Sequence, residues 1–94
     1  MNKRQLIAAA ARRSALTQGQ VREALEAILA EIAGALAGDD HVTIGGFGRF
    51  DVQHYAGRRL HRFDEPGHYQ VEGRPVPVFR SSKRLRRQLR KERP

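Results

Sequence analysis

The sequence predicts an α+β fold in which a helical hairpin comes first, a small antiparallel sheet follows, and a third helix closes the chain. Apolar residues recur with the 3.6-residue period of a helix through most of residues 1–40 and then alternate with polar residues over 42–52, as in a half-buried strand. A basic segment with helically spaced leucines follows residue 80. The 94 residues are enough for one small domain. We expect a single domain, 1–94, made of a helical dimerisation part at 1–40, a sheet at 41–56 and 75–80, a β-ribbon arm at 57–74 and a basic C-terminal helix at 81–94.

The first two helices are predicted from capping boxes and an apolar stripe. Asn2 precedes Gln5 by three residues and Thr17 precedes Gln20 by three, a spacing in which each pair satisfies free amides at a helix start. Gly38 stands where a glycine cap would end the second helix. The apolar stripe of that helix consists of Val21, Leu25, Ile28, Leu29, Ile32 and Leu36.

Three short apolar segments predict a three-stranded antiparallel sheet. The first two lie on either side of a glycine cluster and alternate as strands do, and the third covers residues 76–79. Pro75 and Pro77 suit an edge strand, because proline cannot donate to a neighbouring strand. Between these segments Pro66-Gly67 is typical of a turn in a polar hairpin, and Ser81 or Ser82 can cap the last helix.

The glycine cluster at residues 45–48 has three interpretations. A phosphate-binding loop needs a helix directly after its glycines, but here a strand follows. An RNA-recognition strand carries an aromatic residue where Arg49 stands, and that fold does not begin with two helices. We therefore predict a tight turn in which Gly46 and Gly48 adopt backbone angles that other residues reach only with strain, while Phe47 points into the core.

The predicted monomer has a thin core. The arm cannot bury a core of its own, and a two-stranded ribbon is marginally stable alone in water. A second copy would supply the missing layer, so we expect an obligate homodimer. Its core is predicted to contain Leu25, Ile28, Leu29, Ile32, Leu36, Ile44, Phe47, Phe50 and Phe79.

The net charge of +8 favours a polyanionic partner, either nucleic acid or an anionic membrane. Basic and acidic residues balance over residues 1–40, whereas residues 80–94 hold eight of the eighteen Lys and Arg and one acidic residue. Such a run also occurs as a solubilising tail, so its charge alone leaves both interpretations open.

No residue pattern indicates catalysis or a bound cofactor. The chain has no cysteine and no nucleophile–base pair or paired carboxylates, so we expect neither an enzyme nor a small-molecule substrate. His54, His61 and His68 are spaced by seven, which matches no compact metal pattern, and we expect surface histidines and no metal. No apolar run is long enough to span a membrane, and we expect no membrane partner.

Two motifs and the N-terminus carry a family resemblance. The opening MNKRQLI, the turn VTIGGFGRFDV and the strand-to-helix segment VPVFRSSKRL resemble the HU/IHF family of bacterial DNA-bending, nucleoid-associated proteins along nearly the whole chain. The resemblance implies an intertwined homodimer whose two β-ribbon arms, one per chain, enter the minor groove of double-stranded DNA. It also implies a cytoplasmic protein of the nucleoid, and a paralogous subunit is a further candidate partner.

The resemblance also assigns DNA-binding residues. It implies contacts at Lys3, Arg58, Arg80 and Lys83, with the helix starts near Asn2 and Ser82 and the glycine-turn amides facing phosphates. The full set expected to bind DNA is Lys3, Arg4, Gly46, Gly48, Arg58, Arg59, His61, Arg62, Phe63, Pro66, Arg74, Arg80, Ser82, Lys83, Arg84, Arg86 and Arg87. Basic residues cover most faces of the last helix, so some of them would only solvate it or would reach a second duplex.

The arm tip departs from the family pattern. The family usually carries Arg-Asn-Pro there, with the proline as a wedge between base pairs, whereas this chain has His61-Arg62-Phe63 and its nearest proline is Pro66. Phe63 is one candidate wedge, since phenylalanine intercalates in other DNA-bending proteins, and Pro66 at a shifted tip is the second. In the third interpretation Phe63 packs across the arm and nothing intercalates, which the neighbouring carboxylates of Asp64 and Glu65 favour.

Two other functions fit the charge. One is an RNA-binding or ribosome-associated protein, and the other is a partner-binding protein that has lost its affinity for DNA through the altered tip. Competition between duplex DNA and structured RNA distinguishes the first, and a gel shift at physiological salt tests the second.

The bend angle of bound DNA identifies the wedge. If a side chain at the tip intercalates, we expect its replacement by alanine to reduce the bend, because the unstacked base step then closes again. Fluorescence energy transfer across a doubly labelled duplex measures the angle for Phe63→Ala and for Pro66→Ala. An unchanged angle in both variants, with binding retained, excludes a wedge at either position.

Overall fold

The structure, a computed structural model, describes residues 1–55, 58–61, 68–71 and 73–92. Its elements follow in the predicted order and form two compact units, Met1–Gly34 and Ala35–Pro94. The elements are α1 (Lys3–Arg13), α2 (Gln18–Ala37), β1 (Val42–Ile44), β2 (Gly48–His54), β3 (Arg58–His61), β4 (His68–Val71), β5 (Pro75–Ser81) and α3 (Lys83–Glu92). The predicted α+β fold class is confirmed, while the single domain and its internal boundaries stay predictions.

Both predicted capping boxes are present. The Asn2 side chain accepts from the Gln5 amide and the Gln5 side chain accepts from the Asn2 amide, each at 2.9 Å. Thr17 and Gln20 form the same reciprocal pair at 3.0 and 3.1 Å. Each cap satisfies amides that the helix leaves without partners, and removing one typically costs about 1 kcal/mol.

The end of α2 differs from the prediction in one residue. The helix stops at Ala37, but Asp39, with φ of 61°, takes the left-handed conformation in place of Gly38. The Asp39 amide donates to Leu36 O at 3.0 Å and the Asp40 amide to Ala35 O at 2.9 Å, the two hydrogen bonds of a Schellman motif. Aspartate tolerates this conformation better than most residues, and its carboxylate lies 2.6 Å from His54 Nε2 on β2.

Two antiparallel sheets follow. The strand order β1-β2-β5 forms the three-stranded sheet, with Val42 opposite Phe50 and Phe50 opposite Phe79. Within the described chain β5 lies at an edge, as its two prolines predict. The ribbon β3-β4 is a separate two-stranded sheet, in which Leu60 pairs with Tyr69.

The glycine cluster forms the predicted turn between β1 and β2. The Phe47 amide donates to Ile44 O at 3.0 Å, and Gly46 occupies the third position of this turn with φ of 78°. A positive φ there requires glycine in a type II turn.

Glycine is required at position 48, but the predicted reason, a backbone angle that strains other residues, was wrong. Gly48 has no left-handed φ, so the backbone angle does not require glycine there. The lack of space requires glycine instead, because a Cβ atom at position 48 would lie 2.5 Å from the Phe79 ring and 2.7 Å from Arg80 O. The strand alternation alone does not predict this close approach between β2 and β5.

Little apolar surface is buried within the described chain. Ile7, at 2% exposure, is the buried hydrophobic residue of the described part. The rings of Phe47 and Phe50 pack on Phe79 with centroids 5.5 and 5.0 Å away, yet Phe47 keeps 46% of its surface exposed. Exposures of 40–53% are shared by five predicted core residues, namely Ile28, Leu29, Ile44, Phe47 and Phe79. The structure therefore leaves open the layer that a partner would cover, and the composition of the dimer core stays a prediction.

Alanine substitutions at two glycines of the turn test whether backbone strain at position 46, rather than any change in the turn, destabilises the fold. We expect Gly46→Ala to destabilise the fold by about 1–2 kcal/mol, because it forces an L-residue into the left-handed region. Its added Cβ also lies 3.2 Å from Arg84 Nη1. Gly45→Ala is the matched control, since a Cβ there meets nothing within 4 Å and φ is not left-handed. Urea unfolding at one fixed protein concentration measures both, and equal losses in the two variants would contradict the turn assignment.

Candidate nucleic-acid interface

A row of polar and basic residues crosses the three-stranded sheet. Thr43 on β1 pairs with Arg49 on β2, and Arg49 pairs with Arg80 on β5. Register partners lie on the same face, so the two guanidinium groups belong to one side of the sheet. Like charges directly opposite one another are unfavourable, and an anion bound between them would offset this repulsion.

The two arginines differ in their partners. Arg49 Nε lies 3.3 Å from Asp51 Oδ2, and the Arg49 side chain is 45% exposed. Arg80 is exposed and forms no ion pair with any residue that the structure describes. Arg49 was not among the predicted DNA-binding residues. Strand alternation indicates its place, because it precedes the apolar Phe50 and therefore faces the other way.

The apolar residues of the sheet occupy the opposite face. Phe50 and Phe79 are register partners one position away from Arg49 and Arg80, and successive side chains of a strand alternate between faces. The sheet consequently separates an aromatic face from a cationic one.

The glycine turn is attached to the start of α3. The Ser82 amide donates to Phe47 O at 2.9 Å, and Ser82 Oγ accepts from the Leu85 amide at 3.1 Å. Ser82 is thus the N-cap, the second of the two serines predicted for that role. The first amides of a helix have no partner within it and attract anions. A pocket of about 260 Å³ beside this junction includes Gly46, Arg49 and Arg80 in its lining.

The basic residues of α3 fall into two groups. Arg86 is held within the chain, since its Nη1 donates to Ser81 O at 2.5 Å and lies 3.2 Å from Ser81 Oγ. Arg84 lies over the glycine turn. Four others are exposed and form no ion pair with a described side chain, namely Lys83, Arg87, Arg90 and Lys91. The second group can therefore bind an external anion without first losing an ion pair to any side chain that the structure describes.

Lys3, in the Met1–Gly34 unit, already has an ion-pair partner within the chain. Its Nζ lies 2.5 Å from Glu26 Oε1, and both side chains are more than half exposed. The hydrogen bond from Lys3, together with its charge, holds the pKa of Glu26 below its ordinary value of 4.5. The pair is therefore complete above pH 4.5 and is lost as the pH falls through the lowered pKa of Glu26. At neutral pH Glu26 competes with any phosphate for Lys3.

The remaining predicted residues lie on or near the arm. Arg58, Arg59 and His61 are in β3, where the structure describes the backbone. Arg74 is exposed just before β5, and its carbonyl accepts from the Tyr55 amide at 3.2 Å, which joins the two strands at the base of the arm. The predicted contacts of Arg62, Phe63 and Pro66 fall outside the described residues.

Other kinds of site find little support in the part of the chain that the structure describes. It contains no group of three or more potential metal ligands. No helix in the same ranges combines the length and the apolar character needed to cross a membrane.

Comparison with known proteins identifies the family. The model of the family described as bacterial DNA-binding protein matches residues 1–90. DNA-binding protein HU-alpha of Vibrio cholerae serotype O1 is 37% identical over 86 residues, which cover 92% of this chain and 96% of that protein. The match and the cationic sheet face define a small bacterial DNA-binding protein. More particularly, the chain belongs to the HU/IHF family, as its sequence motifs predict.

Solved HU structures share the fold. Anabaena HU in a cocrystal with DNA is 29% identical and has a TM-score of 0.78, with 95% of this chain and 97% of that chain covered. HU from Thermotoga maritima is also 29% identical, with a TM-score of 0.69 and coverage of 95% and 98%. The predicted HU-like arrangement of helices, sheet and ribbon is confirmed.

Releasing Lys3 is expected to strengthen DNA binding. In Glu26→Gln the ammonium group no longer has a carboxylate partner, so we expect a few-fold tighter binding at low salt and a smaller gain at high salt. Fluorescence anisotropy with a labelled duplex measures this. Glu23→Gln removes the same charge from the same helix without touching the pair, and an equal gain in that variant would show that only net charge matters.

Proposed function

We propose that two copies of this chain form a homodimer that binds duplex DNA with low sequence specificity, bends it and compacts it. Membership of the HU/IHF family supports an architectural DNA-binding function, and an HU relative forms a cocrystal with DNA. The observation that carries the proposal is the juxtaposition of Arg49 and Arg80 beside the free amides at the start of α3. These groups together suit a phosphate backbone.

Exposed apolar surface supports the homodimer. A soluble monomer would have to keep the remaining exposed part of the α2 stripe and of the Phe47 ring in water. Full burial of a large apolar side chain is worth about 1.5–3 kcal/mol, and these half-exposed side chains would gain roughly half of that. A second copy offers the same surface, and two self-complementary patches can cover each other around a twofold axis. Folding and dimer assembly are then coupled, so the fraction of chains that are folded depends on the protein concentration.

The chemistry of the cationic groups supports low sequence specificity. Backbone amides, arginines and lysines bind phosphate oxygens, and such contacts position a protein on DNA without distinguishing base pairs. The basic end of α3 adds to this attraction. Sequence preference would then come from the ease with which a duplex bends.

Family membership also supports the remaining parts of the proposal. The protein acts by binding and shaping DNA and has no catalytic reaction of its own. Its place is the cytoplasm, on the nucleoid. The arms enter the minor groove, and either Phe63, Pro66 or neither residue forms the wedge.

The dependence of DNA affinity on salt tests the proposal. We expect the logarithm of the affinity to fall linearly with the logarithm of the salt concentration, with a slope of about −0.9 per phosphate contact. Arg80→Ala removes one contact from each chain, so the slope should become shallower by about 2 for a dimer. Arg22→Ala, which removes an α2 charge outside the candidate interface, is the control.

Assembly and specificity are measured on the same preparations. Sedimentation equilibrium should give a dimer at micromolar concentration, and a fully folded monomer there would contradict the homodimer. Unlabelled duplexes of different sequence should compete about equally, whereas stronger competition by structured RNA would favour the RNA-binding alternative.

A further inference from the structure

Four exposed cations of α3 lie on one side of the helix. An α-helix turns by about 100° per residue, so residues 83, 87, 90 and 91 fall within an arc of about 100°. These residues form the α3 stripe, which consists of Lys83, Arg87, Arg90 and Lys91. At a rise of about 1.5 Å per residue, the α3 stripe is about 12 Å long.

The α3 stripe faces away from the body of the Ala35–Pro94 unit. Arg84 lies over the glycine turn, and Arg86 donates to Ser81 O. Leu85 stands between these two arginines on the helix and is half-buried. These contacts mark the side of α3 that packs on the unit. The centre of the α3 stripe lies about 170° around the helix from Leu85, so the stripe points to solvent.

The pocket beside the start of α3 lies on the packed side of the helix. Its lining includes Gly46 and Ser81, the groups that Arg84 and Arg86 approach. A phosphate held in this pocket therefore sits across the helix from the α3 stripe. The far end of the stripe, at Arg90, is also about 10 Å along the helix axis from its first residue. The two cationic surfaces consequently serve different phosphates.

We propose that the α3 stripe binds the phosphate backbone of a second DNA duplex, so that one dimer joins two duplexes. The proposal rests on the proposed binding of a first duplex at the sheet, and it adds a second site. One strand of B-DNA presents a phosphate about every 3.4 Å along the axis, so the stripe can meet three or four of them. No described side chain forms an ion pair with the stripe, so a phosphate displaces no described carboxylate.

The leucines of α3 favour a nucleic acid over an anionic membrane as the partner of the stripe. A helix that lies on a membrane buries its apolar face in lipid and holds its cations at the headgroups. Leu85 is half-buried within the chain, and Leu89, at 54% exposure, lies on the side of the helix away from the stripe. The stripe thus offers charge without an apolar anchor.

Sequential capture of two duplexes tests the proposal. The full chain is bound to a biotinylated duplex on streptavidin beads at about 50 mM salt, where phosphate contacts are strong. Unbound protein is washed away, and a fluorescent duplex is added. The wild type should retain the fluorescent duplex. Arg90→Gln combined with Lys91→Gln should lower the retained amount per bound protein by roughly tenfold, because each chain loses two charge-assisted contacts.

Arg12→Gln combined with Arg13→Gln is the matched control, since it removes the same charge from α1 and leaves α3 unchanged. Both double variants should load equally on the immobilised duplex, and far-UV circular dichroism establishes that each is folded. The control should then capture the second duplex as the wild type does.

The two steps of the capture distinguish this proposal from the proposed function. Equal capture by the two double variants overturns the second site, as does a loaded wild type that retains no fluorescent duplex. Preferential retention of a structured RNA of equal length in the second step also overturns it. A wild type that does not load on the immobilised duplex overturns the proposed function, and the second site with it.

Discussion

The close approach of Gly48 to the ring of Phe79 is the contact on which the Ala35–Pro94 unit depends. No Cβ atom fits between them, so β2 and β5 meet with the aromatic ring lying directly over the glycine backbone. This places Phe79 against both Phe47 and Phe50. The same register then sets Arg80 opposite Arg49 on the other face and leads the chain to Ser82, whose amide binds the carbonyl of Phe47. The pairing of β2 with β5, which needs a glycine at position 48, thereby positions the aromatic cluster, the cationic row and the start of α3.

The two faces of the sheet impose opposite demands on the environment. The aromatic face lowers its free energy by leaving water, whereas the cationic face is best solvated or bound to an anion. The described residues leave part of the first face uncovered, as the exposures of 46% for Phe47 and 44% for Phe79 show. Burial by a second copy and binding of a polyanion therefore use different surfaces, and neither excludes the other.

The sequence predicts those features that depend on neighbours in the chain. Both capping boxes join residues three apart, and the turn at Gly46 is completed within four residues, so local spacing was sufficient. Pairings between distant segments were not predictable in this way. The role of Arg49, the crowding at Gly48 and the pairing of His61 with His68 all depend on strand register, which long-range packing determines. Asp39 is a different case, since the left-handed residue of the Schellman motif was displaced by one position from the glycine that suits it better.

Of the two opposed arginines, only Arg49 has an ion-pair partner among the described residues. This difference explains how the two guanidinium groups coexist before any anion binds. Asp51, two residues along β2 from Arg49 and on the same face, neutralises part of its charge at 3.3 Å. The repulsion across the strand pair is reduced accordingly. A phosphate approaching this row would find Arg80 with no ion-pair partner among the described residues, but it would compete with the Asp51 carboxylate at Arg49. We therefore expect Arg80 to contribute more than Arg49 to DNA affinity, and Asp51 to limit how strongly the row as a whole attracts DNA.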